Sequence, residues 1–468
     1  MMSYKLKSSL AACALAGIGL SLSAQELVWY SNSTEAAQTS KDWFDTAIWN
    51  SGTVPQSSMD VNACVNVLND LEISSGSVDI YTLWLKTGGK SLTLGQGASL
   101  SLTQNLILDG SVTTDDAYIK VSEGATLRIE GQTNLTSSGG GIASIINDSG
   151  TVIINRTGSG NYVNNAGTMN ISNISGGSYT IGGGSLTTSN IANSQFEIAD
   201  GTVNSNGNIG SGSVITMHGG QFNQANTIWD GVSVNLFGTS KFKMAHNTQF
   251  TTSTVTLAGG QLYNSSGENL TVNGTKIIFG AVDEESGVFA AASARSIEMG
   301  NKLNVGDGGA NPTTFTFNLG KENLITSREI ADLKANAFVY SANEIEFHQS
   351  ANGDDMNRVS VELNFDNIDF SGLDGDYYVS LFAMEMDFHR DVEPLFSYTD
   401  AEGLVKEIVY GDTYVYNDNL TFEVTHDTNT YAYYLTLHVS GVPVPEPATC
   451  AAIIGALALG LALIRRRK

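Results

Sequence analysis

Four aspartates in the C-terminal third of the chain are the clearest candidates for metal chemistry. They are Asp366, Asp369, Asp374 and Asp376, and glycines lie among them. Clustered carboxylates around a turn suit Ca²⁺, which binds about six to eight oxygen ligands. The EF-hand spacing and its distal glutamate are missing, so an acidic, solvated turn is the favoured alternative. Calcium is the one cofactor that the sequence suggests.

The acidic side chains between residues 90 and 280 do not suggest an active site. Polysaccharide-cutting enzymes on a β-helix place carboxylates on neighbouring coils at separations set by the mechanism. Here the acids are scattered, at Asp109, Asp115, Asp116, Glu123, Glu130, Asp148, Glu197, Asp200, Asp230 and Glu268. The six histidines lie far apart and never at the spacing of a zinc site. The sequence therefore predicts no catalytic residue.

Trp43 and Trp49 belong to a tryptophan-rich segment that holds four of the chain's five tryptophans. Flat aromatic rings stack on the faces of pyranose sugars, so this pair is a candidate for glycan binding. Large aromatic side chains are most often core residues, however, and a hydrophobic cap over the first coil is the favoured alternative. We therefore expect a Trp-rich β cap over residues 25–90.

Composition and charge exclude several classes of protein. The chain has 468 residues, with 50 glycines, 6 prolines and 3 cysteines, which excludes a disulfide scaffold, a collagen and a coiled coil. Residues 25–441 carry 17 basic and 46 acidic side chains, a net charge of −29. A surface this negative repels nucleic acid and anionic lipid. Binding to DNA or RNA is therefore not expected.

The N-terminus predicts export. Lys5 and Lys7 precede an apolar run over residues 10–22, which ends in small residues before Gln25. This order of basic, apolar and small residues is typical of a secretory signal peptide, which we assign to residues 1–24. A buried N-terminal helix is the disfavoured alternative. Cys13 precedes most of the apolar run, which argues against cleavage and lipidation at that cysteine.

The C-terminal residues 442–468 contain three elements that follow one another in a fixed order. Pro445, Glu446 and Pro447 are followed by the uncharged stretch 448–464, and the chain ends in Arg465, Arg466, Arg467 and Lys468. Seventeen apolar residues make a helix of about 25 Å, enough for a thin bilayer. The basic tail would stop transfer and stay in the cytoplasm, with the rest of the chain outside. An ordinary tail anchor is the alternative.

These three elements together resemble the PEP-CTERM sorting signal of bacterial envelope proteins. The resemblance implies recognition by an exosortase, a membrane-embedded enzyme similar to cysteine proteases, which removes the anchor. Transfer of the protein to an envelope acceptor would be a further step. Pro445, Glu446 and Pro447 would then be substrate residues of that membrane protease or transpeptidase.

Residues 91–312 predict a β-solenoid. Short runs of alternating apolar and polar residues, such as 98–102 and 151–154, predict strands with one buried face. Glycine-rich turns separate them at intervals too short for crossover helices, which excludes a βαβ fold. Irregular spacing and the Asn-rich stretch 161–173, whose amides can stack in ladders, favour a solenoid over a sandwich or barrel. Over residues 91–279, where the repeats are clearest, roughly 20 to 25 residues per coil predict about eight or nine coils.

The repeats resemble in style the passenger domains of autotransporter adhesins, although no amphipathic barrel follows them. After Pro312 the chain has more acids and longer alternating runs, so residues 313–441 predict an acidic antiparallel β domain. Residues 327–334 predict a short helix, with Ser327 as its N-cap.

We therefore expect an all-β fold: a parallel β-helix or β-solenoid followed by an antiparallel β domain, with an N-terminal signal helix and one C-terminal transmembrane helix. The expected function is that of an exported structural or adhesive protein, anchored in the membrane and then released to the cell surface or extracellular matrix. Its expected partners are the exosortase and an envelope or matrix polysaccharide. A secreted β-helix enzyme acting on polysaccharide and a carbohydrate-binding surface protein remain the alternatives.

Overall fold

A computed structural model of the chain describes residues 27–32, 34–55, 62–87, 90–109, 116–136, 141–226, 228–264, 267–306, 312–348, 359–386, 389–390, 393–429 and 431–440. Within these residues the protein is almost entirely β, and most neighbouring strands pair in parallel. The fold is a β-solenoid in which each coil places its strands on those of the coil before. The predicted all-β, solenoid-like fold is confirmed.

Three sheets form the sides of the solenoid. Sheet 1 consists of Leu71–Ile73, Ser91–Leu94, Ala117–Val121, Ala143–Asn147, Asn161–Asn164, Ser178–Ile181, Gln195–Ile198, Val214–Met217, Ser233–Phe237, Thr254–Ala258, Lys276–Phe279, Thr314–Asn318, Ser360–Asn364, Leu395–Thr399 and Val405–Ile408. Sheet 2 consists of Leu27–Ser31, Asn62–Val67, Ser77–Ile80, Thr82–Thr87, Ser99–Leu102, Leu106–Asp109, Thr126–Thr136, Thr151–Thr157, Thr168–Ile174, Ser185–Ile191, Thr202–Ser205, Gln221–Gln224, Lys241–Met244, Gln261–Asn264, Ile297–Met299, Val339–Ser341, Gly375–Met384, Thr413–Asn417, Leu420–Asp427 and Ala432–Val439. Sheet 3 consists of Ile228–Asp230, Thr248–Thr251, Leu270–Asn273, Leu303–Val305, Ile345–Phe347 and His389–Arg390.

The remaining elements are short. A hairpin is formed by Ala281–Val282 and Phe289–Ala290, which pair antiparallel. Three 3₁₀ turns and one α-helix complete the described elements, at Ala36–Gln38, Thr46–Ile48, Lys321–Asn323 and Ile330–Asn336. The helix begins three residues after the predicted Ser327, whose hydroxyl accepts a hydrogen bond from the N–H of Glu329 instead of capping the helix.

The alternation of apolar and polar side chains along the strands builds the core. In sheet 1, Leu92 and Ile119 occupy one register column and are fully buried, while their neighbours along each strand are partly exposed. Successive side chains of a strand point to opposite faces, so each coil contributes an apolar set to the interior. Stacking the coils merges these sets into one continuous core.

The coils differ in length along the rod. Register partners in sheet 1 are 17 residues apart from Ile145 through Tyr162 and Tyr179 to Phe196. After Ile277 the same step grows to 38, 46 and 35 residues. Ten sheet 1 strands lie between residues 91 and 279, which makes nine complete coils and agrees with the predicted number.

Parallel pairing extends past both boundaries predicted for the solenoid. It begins with Leu27–Ser31 against Asn62–Val67 and continues to Ser360–Asn364 against Leu395–Thr399. Within the three sheets, antiparallel strand pairing occurs only from Gly375–Met384 onward, first where this strand meets Ala432–Val439. Parallel pairing therefore runs past residue 313, where the sequence predicts the end of the solenoid, because long insertions between the strands hide the repeat of the last coils.

Both predicted membrane-related segments, residues 1–24 and 442–468, lie outside the described residues. Over the ranges given above, none of the helices has the length and apolar character needed to cross a bilayer.

Candidate functional site

The two tryptophans that are candidates for glycan binding lie inside the N-terminal cap. Trp43 and Trp49 are 0% and 2% exposed, and their rings meet edge to face at 5.2 Å. Each indole N–H donates to a backbone carbonyl, Trp43 to Pro55 at 3.0 Å and Trp49 to Trp43 at 2.9 Å. Neither ring offers a face to a sugar, and the pair fills the interior of the cap, which is the alternative that the sequence favours.

The aspartate cluster divides among separate partners. Asp366 accepts a hydrogen bond from the Tyr416 hydroxyl at 2.5 Å, and Asp376 lies 2.7 Å from Nδ1 of His438. Asp369 accepts from the N–H and hydroxyl of Ser371 at 2.9 and 2.8 Å. Asp374 directly precedes the strand that carries Asp376. No group of three potential metal ligands comes together among the described residues, and calcium binding stays a prediction.

The predicted sorting residues cannot be placed in the fold. Pro445, Glu446 and Pro447, and the basic tail 465–468, lie outside the described residues.

A cleft of about 480 Å³ lies on the outer face of sheet 1. Its floor is one outward-facing column of four residues, each directly opposite the next on successive parallel strands: Glu197, Thr216, Asn235 and Thr256. Parallel strands are about 4.8 Å apart, so this column is roughly 14 Å long and runs along the solenoid axis. The floor therefore suits an extended ligand.

His218 forms one wall of this cleft. It follows the strand Val214–Met217, and its ring stacks on Phe237 at 5.3 Å with an angle of 11° between the planes. Its Nε2 atom lies 2.9 Å from Oε1 of Glu197 and 3.6 Å from Oε2 of Glu285. The histidine thus joins Glu197 in the floor to Glu285, which lies in the hairpin above the cleft.

The hairpin Ala281–Val282/Phe289–Ala290 forms the roof. Its turn brings Asp283, Glu284 and Glu285 to the cleft. Asp283 orders this turn, because its carboxylate accepts from the N–H of Glu285 and the hydroxyl of Ser286, both at 3.0 Å. These hydrogen bonds, the backbone N–H of Glu285 foremost, lower the pKa of Asp283.

Electrostatics in the cleft favour positive charge. Four carboxylates face one histidine within the lining. Burial raises the pKa of Glu197, the charge of Glu285 raises it further, and His218 opposes both effects. A raised carboxyl pKa beside an imidazole gives this pair the capacity to hold and move a proton.

Sequence reasoning missed this site. In the sequence, Glu197 is one of the scattered acids, His218 is one of six histidines that lie far apart, and the acidic run 283–285 follows the segment 90–280 that holds those acids. The sequence feature that could have revealed the floor of the cleft is the coil length. Steps of 19, 19 and 21 residues bring Glu197, Thr216, Asn235 and Thr256 into one column.

Comparisons with known proteins do not assign the chain to a family. No family model matches it, and no curated protein or solved structure shows significant similarity.

Proposed function

We propose that the protein is an exported structural and adhesive component of a bacterial envelope or extracellular matrix. The observation that carries this proposal is the unbroken parallel stack from Leu27–Ser31 to Leu395–Thr399. Fourteen of the fifteen sheet 1 strands pair in parallel, which at about 4.8 Å per strand gives a rod of roughly 60 Å. Such a rod is a stiff spacer.

In this proposal the two ends of the chain determine where the protein is located. The signal peptide 1–24 exports the chain, the helix over 448–464 anchors it temporarily, and an exosortase-like protease recognises Pro445, Glu446 and Pro447. The strongly acidic exported part keeps the rod soluble and away from anionic lipid.

Replacing Pro445, Glu446 and Pro447 with alanine tests the sorting proposal in native cells. We expect a longer form that stays in the membrane fraction, measured by mass spectrometry of the mature C-terminus after fractionation. Pro443→Ala, two residues outside the motif, is the matched control and should be processed normally. Normal processing of the triple variant would refute recognition of the motif.

A secreted polysaccharide-active enzyme is the second candidate, because the Glu197–His218 pair lies in a cleft on the solenoid face. Incubation with matrix polysaccharide, followed by analysis of released oligosaccharides, tests it. Turnover by the natural protein that is lost in Glu197→Gln would favour the enzyme. Binding without any released product favours the adhesive rod.

A further inference from the structure

We propose that the cleft over Glu197, Thr216, Asn235 and Thr256 binds a polysaccharide that carries free amino groups. This inference rests on the adhesive function proposed above and names the chemistry of its ligand. It places the adhesive contact on the side of the rod, between sheet 1 and the hairpin 281–290.

Charge selects an amine over a neutral or acidic group. Glu197 lies on the floor and Glu285 on the roof, and both approach the same nitrogen of His218. An ammonium group that enters between them donates hydrogen bonds to carboxylates on two sides, and such charge-assisted hydrogen bonds are stronger than neutral ones. An acidic sugar would meet repulsion from Asp283 and Glu284 as well.

An unused hydroxyl in the floor points to a ligand. Thr256 occupies an outward position of its strand, yet it is only 8% exposed and lines the cleft beneath the hairpin. No hydrogen bond links its hydroxyl to another described residue. The hydroxyl oxygen is not among the fully buried atoms, so it opens to the cleft and can pair with the donors and acceptors of a bound group.

The shape of the floor favours a chain of sugars. Thr216, Asn235 and Thr256 add neutral hydrogen-bonding side chains at a regular spacing along the solenoid axis. Sugar hydroxyls pair with such groups, while Phe237 and Val282 supply apolar surface at the sides. A linear polymer lying along the axis contacts the carboxylates, the neutral hydrogen-bonding side chains and the apolar side chains together.

Isothermal titration of the full chain with a short β-1,4-linked glucosamine oligomer tests the proposal, at a pH where its amines are protonated. We expect saturable binding, and binding at least about ten-fold weaker for the fully N-acetylated oligomer. Equal affinity for the two oligomers would overturn the proposal. Calcium alone displacing the glucosamine oligomer would also overturn it, in favour of a cation site.

Variants separate this cleft from general attraction to an acidic protein. Glu285→Gln should weaken binding about ten-fold. Thr256→Val, which leaves every charge in place, should weaken it several-fold. The matched control is Glu362→Gln, on the same outward column of sheet 1 but outside the cleft, and it should bind normally. An equal loss in Glu362→Gln would overturn the proposal.

The two proposals fail in different assays. Loss of glucosamine binding with normal tail processing and matrix retention would refute the cleft and leave the exported rod in place. Cleft binding by a protein that is never exported would refute the location instead.

Discussion

The tight coils of residues 141–225 and the wide coils beyond residue 312 solve the same packing problem differently. In the tight coils the rings of Tyr162, Tyr179 and Phe196 stack almost face on, 4.8 Å apart at each step. In the wide coils the ring of Phe382 meets its aromatic neighbours edge to face, with angles of 83° to 89°. Repetition stabilises the first region, and a three-dimensional aromatic cluster stabilises the second.

The tight coils and the wide coils also differ in the number of charged side chains that they carry. Residues 141–225 contain three acidic and one basic side chain, whereas residues 313–440 contain 23 acidic and six basic ones. Equivalent positions of successive coils lie directly above one another in a regular solenoid. A charged residue repeated at one such position would therefore lie next to the like charge of the adjacent coil. Short equal coils therefore favour uncharged columns, and longer, irregular coils tolerate acids.

The largest expected effect of a single substitution is in the aromatic cluster. Phe382 is fully buried and contacts Phe315, Phe317, Phe347 and Tyr433. We expect Phe382→Ala to lower the free energy of unfolding by about 3–5 kcal/mol, because it leaves a cavity. Val415→Ala, at a side chain that is 63% exposed, should change it by less than about 0.5 kcal/mol in the same urea titration. Similar losses in the two variants would contradict the cluster's role.

A glycine column in the tight coils gives the next largest effect. Gly167 has a φ of +78°, and a Cβ added there would overlap the carbonyl oxygen of Gly150 in the coil below. We expect Gly167→Ala to cost about 3 kcal/mol in urea unfolding, from backbone strain and overlap together.

Gly97→Ala separates these two causes. Gly97 also has a positive φ, +74°, but a Cβ there would meet nothing within 4 Å. Its substitution should cost about 1 kcal/mol, the strain alone. An equal cost at both glycines would mean that close stacking of the coils contributes nothing.

The buried amide ladder should contribute less. Asn147 donates to the side-chain oxygen of Asn164 at 2.8 Å, and both residues are fully buried. Asn164→Ala should cost about 1–3 kcal/mol in thermal or urea unfolding, because it leaves a buried donor without its partner. The exposed amide pair Asn190–Asn173 has the same 17-residue spacing, and Asn190→Ala should cost less than about 0.5 kcal/mol. A reversed order would argue against burial as the cause.

The smallest effect concerns high pH in the C-terminal region. Burial raises the pKa of Tyr416 to about 12, and its hydrogen bond to Asp366 adds to the shift. A phenol with a raised folded pKa stabilises the fold below its unfolded pKa, near 10, and this contribution is lost as pH rises from about 10 to 12. Tyr416→Phe should flatten the fall of stability over that range, measured by urea unfolding at several pH values. An unchanged slope would contradict the assignment.

Local patterns were enough to predict the solenoid, because each coil contacts only its neighbours and each strand shows its buried face in the sequence. The Asn-rich stretch 161–173 likewise predicts stacked amides, and two of its members, Asn164 and Asn173, hydrogen-bond to side-chain amides of the adjacent coils, Asn147 and Asn190. The last coils were missed because steps of 38 and 46 residues carry insertions that break the period.

The candidate site was not predictable in the same way. Glu285 lies 88 positions beyond Glu197 in the chain and reaches the cleft through a hairpin inserted between two coils. Trp43 and Trp49 have the residue type of a sugar platform, but only the packing of the cap decides that their rings are buried.

The equal 17-residue steps from Ile145 to Phe196 also bear on how such a chain evolves. Duplicating or deleting a gene segment that encodes one step keeps the remaining inward residues in register, since each coil is supported by its two neighbours alone. Rod length can therefore change in increments of about 4.8 Å by recombination between similar segments, with no new interior to be selected.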